Sequence, residues 1–239
     1  MQLSEAMDVN RNALLELKKR FDSINIVDVG CARGSLLKYT QRMFSDVFSI
    51  GIDPLNHEFE RGNYNHFIQC AIDNVGSDDQ VTSFYINQDD QASSLLQMDF
   101  ANISSDLGER DSKYYIRWAQ NLKILREIKI NVKSLKTILD EINFPGKIHL
   151  LKIDAEGKDL DVVKSLGDHA SRVIFVSLEC SSHKNDSIKI FKNGCHIKDV
   201  IPYMNSIGFE VFENFDCEED PNNLTQMSDI VFVNKTLLN

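Results

Sequence analysis

The sequence predicts an α/β fold in which helices pack against an open, mostly parallel sheet. Four apolar segments have the length of buried strands and lie at residues 26–29, 47–52, 148–153 and 172–178. Helix-like segments separate most of them, and strands that alternate with helices typically form a parallel sheet. Two further strand-like segments, 208–212 and 229–233, have no helix between them, so we expect these two to pair antiparallel.

Composition indicates one ordered globular domain over residues 1–239. The hydrophobic fraction is 42% and there are only 4 prolines, so the chain can bury a substantial core. The formal net charge of −10 argues against nucleic acid or an anionic membrane as a partner, because both would repel the protein. No apolar run approaches the roughly 18 to 20 residues that span a bilayer, and the first residues lack the features of a signal peptide.

The cysteines predict a reduced, cytoplasmic protein without structural zinc. There are 5 of them, an odd number, and no Cys-x-x-Cys pair occurs. Cys31, Cys70 and Cys180 fall in or just after predicted strands, where apolar burial explains them better than nucleophilic chemistry.

A glycine turn joins the first apolar strand to a helix-like segment at residues 35–44. Glycines let a ligand approach the backbone, and the free N–H groups at the start of the helix point toward it. A dinucleotide fold needs a middle glycine to seat the pyrophosphate. This turn lacks a middle glycine, so it better suits S-adenosylmethionine, a ligand that has no pyrophosphate. The alternative is an ordinary turn in a nucleotide-free α/β domain. The candidate cofactor residues in the turn are Asp28, Gly30, Cys31, Ala32 and Gly34.

The ends of the next two strands supply further cofactor candidates. The strand at 47–52 ends in Asp53, and an acid at that place can accept hydrogen bonds from ribose hydroxyls. A third strand, 66–72, ends in Ile72 and Asp73. In a nucleotide fold this edge faces the base, so Ile72 could cover adenine and Asp73 could accept from its exocyclic amine. Both aspartates could instead be turn residues.

Acidic residues also follow the last two of the four apolar strands. Because parallel strands end at one edge of a sheet, Asp53, Asp154 and Glu179 should converge there. Such clustering favours a site over a set of solvated loop acids, which is the alternative. We predict that Asp154, Glu179 and Glu156 are the catalytic candidates, with His183 as a weaker one. The same acids could instead hold Mg²⁺.

Other segments complete the predicted fold. Residues 1–22 predict an N-terminal helix, and residues 99–126 predict an insert or lid over the ligand-binding edge. Aromatic side chains in the insert could line an acceptor pocket, although burial of the insert itself would also explain them. These aromatics are Tyr114, Tyr115 and Trp118. The remaining predicted elements are strands at 81–86 and 128–132 and helices at 134–141, 159–166 and 197–206.

Taken with these motifs, the chain resembles the FkbM-type S-adenosylmethionine-dependent methyltransferases from about residue 24 to residue 233. The most specific motif is Lys152-Ile153-Asp154-Ala155-Glu156-Gly157. The motifs that carry the resemblance lie at 27–34, 71–73, 93–95, 151–157 and 229–233. The family commonly ends its second strand in Glu, where this chain has Asp53, and residues 99–126 have no firm counterpart in it.

The resemblance implies a Rossmann-like class I methyltransferase fold. That fold has a seven-stranded, mostly parallel sheet with a final antiparallel strand and helices on both faces. The resemblance also implies O-methylation, often of a hydroxyl group on a sugar, a glycan or a small natural product.

Two other functional classes stay open. A nicotinamide-dependent oxidoreductase would also combine a strand, a glycine turn and an acid, although the missing middle glycine counts against it. A non-catalytic nucleotide-binding or interaction protein would need no acids beside the cofactor.

Overall fold

Ten strands and six α-helices make up the described part of the protein. The computed structural model describes residues 5–56, 63–75, 80–99, 123–182, 189–216 and 227–238. The strands are β1 (Ser23–Val29), β2 (Asp46–Ile52), β3 (His66–Ile68), β4 (Ala71–Ile72), β5 (Gln80–Asn87), β6 (Ile124–Lys133), β7 (Ile148–Ile153), β8 (Val173–Ser181), β9 (Glu210–Asp216) and β10 (Met227–Val233). The helices are α1 (Glu5–Lys18), α2 (Ser35–Met43), α3 (Leu135–Glu141), α4 (Asp159–Lys164), α5 (Ile197–Ser206) and α6 (Lys235–Leu238).

Seven strands form the main sheet in the order β3-β2-β1-β7-β8-β10-β9. The neighbours from β3 to β8 all pair in parallel. Strand β10 pairs antiparallel with both β8 and β9. The predicted Rossmann-like sheet and the antiparallel pairing of the last two strands are therefore confirmed. Parallel strands place their C-terminal ends at one edge, which is where open α/β sheets bind ligands.

Helices cover both faces of this sheet, as predicted. In β1, Ile24 and Ile26 pack in a cluster with apolar residues of α1 and α2, whereas Val27 and Val29 pack in a cluster with those of α3, α4 and α5. The alternation follows from the pleat, which sends successive side chains to opposite faces. A strand buried on both faces needs a continuous apolar run, and this is why β1, β2 and β7 were recognisable in the sequence. Among the described helices, none is both long and apolar enough to cross a membrane.

The predicted third strand, 66–72, divides between two sheets, which corrects the sequence analysis. Strand β3 ends at Ile68, and the N–H of Cys70 donates to the Ile68 carbonyl over 3.2 Å, so the chain turns there. Strand β4 then pairs parallel with β6, and β5 pairs antiparallel with β6. These three strands form a second sheet that lies outside the predicted architecture.

Strand β8 is longer than predicted. It runs to Ser181 because β10 stays paired with it as far as Ser181 and Met227. Glu179 therefore lies inside the strand, opposite Asp229, and does not follow the strand as we expected. Helix α4 ends at Lys164, and a 3-10 helix follows it at Gly167–Arg172.

Most of the predicted insert lies outside the described residues. Its last three residues, 124–126, belong to the beginning of β6. Residues 100–122, with the three aromatic side chains that could line an acceptor pocket, are not described, and neither is His183.

Candidate active site

A large cavity opens at the C-terminal edge of the main sheet. Its volume is about 1120 Å³, above the roughly 300–1,000 Å³ typical of pockets for one small molecule. The walls are the glycine turn after β1, the ends of β2, β4 and β7, and the turn after β5. The predicted site residues that line it are Asp28, Gly30, Cys31, Ala32, Asp53, Ile72, Asp154 and Glu156. Gly34, Asp73 and Glu179 are not among the described lining residues.

The glycine turn approaches the end of β7 very closely. Gly30 has φ +69°, and a Cβ built on it would lie 1.8 Å from the carbonyl oxygen of Asp154. No side chain fits at this position. Gly34, with φ +66°, is the residue just before α2, at the N-cap position, and it makes no side-chain hydrogen bond to the free N–H groups of that helix. The turn therefore combines close backbone packing with the positive end of a helix dipole.

Asp53 holds the turn from the neighbouring strand. The N–H of Ala32 donates to Asp53 Oδ2 over 2.8 Å, and the N–H of Leu55 donates to Asp53 Oδ1 over 2.7 Å. Ala32 has φ +39°, a left-handed conformation that is uncommon for residues other than glycine. A carboxylate can accept about four hydrogen bonds in total, so Asp53 can hold the turn and still accept from a ligand hydroxyl.

The side chains of Cys31 and Ile72 form an apolar part of the cavity wall. Both side chains are buried. Burial, followed by the nearby charge of Asp28, raises the pKa of the Cys31 thiol, which therefore stays neutral. Cys31 can contact a ligand as a small apolar group and is not a nucleophile.

Lys152 connects the glycine turn to the acids, a role that the sequence analysis did not predict although Lys152 is part of the most specific motif. Its Nζ lies 3.1 Å from the Gly30 carbonyl oxygen, 3.1 Å from Asp154 Oδ2 and 3.7 Å from Asp28 Oδ1. Burial opposes its charge, but the combined attraction of Asp154 and Asp28 outweighs burial and raises the pKa of Lys152. The amine is therefore a fixed positive charge beneath the turn.

Asp28 lies deepest in this group, with 1% of its surface exposed. The hydroxyl of Tyr64 donates to Asp28 Oδ2 over 2.7 Å. Burial raises the pKa of Asp28, against the opposing effects of Lys152 and of the Tyr64 hydrogen bond. Tyr64 was not identified from the sequence, since it lies in no recognisable motif.

Glu156 and Glu179, the other two catalytic candidates, lie close enough to Asp154 for its charge to act on both. Burial, followed by repulsion from Asp154, raises the pKa of Glu156 well above its ordinary value. Burial, followed by repulsion from Glu156, does the same to the pKa of Glu179. Carboxyl groups whose pKa is raised by burial and by one another are candidates for general acids and bases.

Asp159 is a further buried acid, and the sequence analysis missed it. Its exposure is 0%. Asp159 Oδ1 accepts from the N–H of Glu179 over 3.2 Å, and its Oδ2 has no hydrogen-bond partner among the described residues. Burial, followed by repulsion from Asp154, raises the pKa of Asp159 to about 7. In the sequence this residue looks like an ordinary acid in the first turn of a helix.

Asp73 lies beside the cavity and is engaged by a lysine that we did not predict. Its Oδ2 lies 2.9 Å from Lys158 Nζ, and its Oδ1 accepts from the N–H of Asn74 over 2.7 Å. Lys158 also pairs with Asp161 over 2.7 Å, and Lys158 lines the cavity in place of Asp73. A hydrogen bond from an adenine amine would have to share the Asp73 carboxylate with both of these partners.

The structure gives no support to the prediction of Mg²⁺. Within the described ranges, no three His, Cys, Asp or Glu side chains lie where they could hold a metal ion together.

The chain matches the family model described as the methyltransferase FkbM domain over residues 28–211. A solved structure of a Leishmania major SAM-dependent methyltransferase is 14% identical, with a TM-score of 0.46 over 95% of this chain and 71% of that one. The N-methyltransferase NodS from Bradyrhizobium japonicum is 8% identical, with a TM-score of 0.46 over 97% and 98%. Precorrin-6y C5,15-methyltransferase from Geobacter metallireducens is 11% identical, with a TM-score of 0.42 over 98% and 90%. No curated protein matches the sequence significantly.

Proposed function

The chain belongs to the FkbM methyltransferase family, and on this basis we propose that it transfers a methyl group from S-adenosylmethionine to a hydroxyl group of a sugar, a glycan or a small natural product. The main supporting observation is the cavity itself. One opening brings the glycine turn, Asp53 and two acids of the most specific motif, Asp154 and Glu156, to the same edge of the sheet.

The donor would lie against the glycine turn. The backbone at residues 30–34 would hold its amino-acid end, Asp53 would accept from the ribose hydroxyls, and Ile72 would cover the adenine. The absence of a middle glycine supports a ligand without pyrophosphate. The volume of about 1120 Å³ leaves room for an acceptor beside the donor.

Methyl transfer is an in-line displacement. The acceptor oxygen bonds to the methyl carbon while the carbon–sulfur bond breaks, and the bonding pair goes to sulfur, which becomes a neutral thioether. Holding oxygen, carbon and sulfur in line can supply about 7–11 kcal/mol of the barrier. The hydroxyl proton must also leave, and a positioned base contributes about 10²- to 10⁴-fold. Asp154 and Glu156 line the cavity and are the first candidates for this base. Glu179, which is not among the described lining residues, ranks third.

The charges of the cavity support an acceptor without negative charge. Each basic side chain among the described lining residues is already engaged. Lys152 contacts two carboxylates and Lys158 two more. Arg33 lies 3.8 Å from Asp90, and Lys38 donates to the Arg33 carbonyl over 2.8 Å. The carboxylates that Lys152 and Lys158 contact would repel a phosphate or carboxylate on the acceptor, whereas a neutral hydroxyl group would meet no such repulsion.

Two measurements test the proposal. Calorimetry should detect binding of S-adenosylhomocysteine and none of NADH; the reverse result would overturn the assignment and favour an oxidoreductase. A labelled-methyl screen over glycans, hydroxylated metabolites and peptides should then identify the acceptor. A product labelled on nitrogen or carbon would overturn the O-methylation.

Substitution of the acids tests the base. We expect Asp154→Asn, Glu156→Gln and Glu179→Gln each to abolish transfer while S-adenosylhomocysteine still binds, because each removes one acid of the group that would accept the proton. Glu141→Gln, on the exposed end of α3, is the control. Retained turnover in all three acid variants would contradict a carboxylate base at this site.

A further inference from the structure

Glu156 has a backbone conformation that the surrounding structure must hold in place. Its φ is +50°, in the left-handed region that residues with a Cβ rarely adopt. Such strain persists only where neighbouring contacts fix it, and it collects at functional sites. Glu156 lines the cavity. The contacts that fix its backbone therefore also decide where its carboxyl group points.

Ser94 supplies one of these contacts. Its hydroxyl donates to the carbonyl oxygen of Glu156 over 2.7 Å and accepts from the N–H of Leu96 over 2.9 Å. The hydrogen of the Ser94 hydroxyl group therefore bonds to the carbonyl oxygen of Glu156. Only 1% of the Ser94 surface is exposed, so this side chain acts on the loop and not on a ligand.

Ser94 is itself anchored to the second sheet. Its N–H donates to the Tyr85 carbonyl over 3.2 Å, and its carbonyl accepts from the N–H of Tyr85 over 2.8 Å. Tyr85 lies in β5. The Ser94 hydroxyl therefore connects the second sheet to the loop after β7, across 62 positions of sequence.

The other side of the loop is fixed by the next residue. Gly157 has φ +95°, and a Cβ there would lie 2.9 Å from the Phe191 ring. The carbonyl of Gly157 accepts from the N–H of Cys195 over 3.0 Å. With Ser94 on one side and this packing on the other, the peptide between Glu156 and Gly157 has one orientation.

We propose that Ser94 is a positioning residue that holds the left-handed conformation of Glu156 and so keeps its carboxyl group in the cavity. The clamp formed by the Ser94 hydroxyl and the Glu156 carbonyl is a property of the fold, and it rests on the proposed function only in giving Glu156 a part in proton transfer. It also gives a physical role to the motif Ser93-Ser94-Leu95. Ser93 lines the cavity and its hydroxyl accepts from the N–H of Asn87 over 3.1 Å, while Ser94 fixes Glu156.

The clamp can be measured through the surroundings of Glu156. Burial and the nearby acids raise the pKa of Glu156, and one lysine opposes them. Among the described residues, the charged groups that act most strongly on Glu156 are Asp154, Asp159, Lys152 and Asp89, and Glu156 in turn acts on Glu179. Without the Ser94 hydroxyl, the loop can relax to negative φ and release the carboxyl group toward water, where the pKa of a glutamate is near 4.3.

The decisive experiment follows the carboxyl titration of Glu156 by ¹³C NMR, with Glu156→Gln to assign its signal. In Ser94→Ala we expect its midpoint to fall by about one pH unit or more, because a tenfold weaker hold on the proton corresponds to one unit. Ser94→Cys should give an intermediate value, since a thiol is a weak donor of nearly the same size. If Ser94→Ala does not fold, the titration of Glu156 in Ser94→Cys tests the clamp in its place. Ser83→Ala, on β5, is the control, because the Ser83 hydroxyl bonds to the exposed side chain of Glu127.

Two further readouts accompany the titration. Amide exchange at Lys158 and Cys195, whose N–H groups bond to this loop, should accelerate about 2- to 10-fold in Ser94→Ala. Once the methyl screen supplies an acceptor, kcat of Ser94→Ala should fall about tenfold, part of the roughly 10²- to 10⁴-fold that a positioned base contributes, while KM for S-adenosylmethionine stays unchanged.

The outcomes separate the clamp from the proposed function. Unchanged titration and exchange in Ser94→Ala would overturn the clamp, as would a wild-type Glu156 that already titrates near 4.3. A protein that fails to bind S-adenosylhomocysteine, yet shows the shifted titration, would instead overturn the methyltransferase assignment and leave the clamp intact.

Discussion

Replacing Gly30 with alanine tests the close approach on which the cavity depends. Gly30 has φ +69°, and its added Cβ would lie 1.8 Å from the Asp154 carbonyl oxygen, where real Cβ contacts are essentially absent below 3.0 Å. The ends of β1 and β7 would therefore have to separate by more than about 1 Å. This movement would displace the turn from Asp53 and Lys152, which hold it.

The magnitude can be worked out from two contributions. A left-handed backbone costs a residue with a Cβ about 1–2 kcal/mol. Overpacking of a close contact costs about 1–3 kcal/mol more. We expect Gly30→Ala to lower the free energy of unfolding by about 2–5 kcal/mol. Since the turn forms the donor end of the cavity, affinity for S-adenosylhomocysteine should fall by at least about tenfold, equivalent to about 1.4 kcal/mol.

Gly146→Ala is the matched control. Gly146 also has a left-handed backbone, with φ +60°, but a Cβ there would meet nothing within 4 Å. It should therefore lose only the backbone contribution, about 1–2 kcal/mol, and its affinity for S-adenosylhomocysteine should be that of the wild type. Urea unfolding followed by circular dichroism measures stability, and calorimetry measures affinity. Equal losses of stability in the two variants, with binding unchanged in both, would refute the reasoning.

The strands that could be predicted are those whose partners impose a pattern on the chain itself. Strand β1 is buried on both faces, so it reads as an apolar run, and the turn after it needs Gly30 because the carbonyl of Asp154 lies so close. The parallel order of the sheet then places Asp53 and Asp154 at one edge. Local sequence is informative here because each requirement leaves its mark on a short segment, even where the partner, such as Asp154, lies far away in the chain.

The second sheet could not be predicted because its pairing is a long-range choice. The segment 66–72 is uniformly strand-like, and nothing local says that β3 should pair with β2 and β4 with β6. Strands β5 and β6 are separated by residues 88–123. Their partnership depends on contacts that the alternation of either strand does not encode.

The roles of three site residues escaped the sequence analysis for one reason, which is that burial changes what a polar side chain does. Lys152 interrupts an apolar strand and looks like a solvent-facing position, yet its amine lies between Asp28 and Asp154. Asp159 looks like an acid that favours a helix N-terminus, yet it is fully buried. Ser94 looks like a loop serine until its hydroxyl is seen to reach Glu156. Each role depends on a partner that only the folded chain supplies.

Two further predictions concern the buried charges. Lys152→Met leaves Asp28 and Asp154 without their cation, so the free energy of unfolding, measured in urea, should fall by about 3–5 kcal/mol. The control Lys129→Met, at an exposed ion pair, should lose less than about 1 kcal/mol. Similar losses in the two variants would contradict the role of Lys152. For Asp159, the folded pKa of about 7 lies above the ordinary 3.8. Between these values the folded protein binds more protons than the unfolded chain, so the stability from this proton is complete below about pH 4 and is lost as the pH rises through about 7. In Asp159→Asn this share of the pH dependence should vanish, because the amide cannot ionise and its oxygen can still accept a hydrogen bond. Urea midpoints measured from pH 5 to pH 8 should therefore fall less steeply in Asp159→Asn than in the wild type, and parallel curves would show that Asp159 is already ionised in the folded protein.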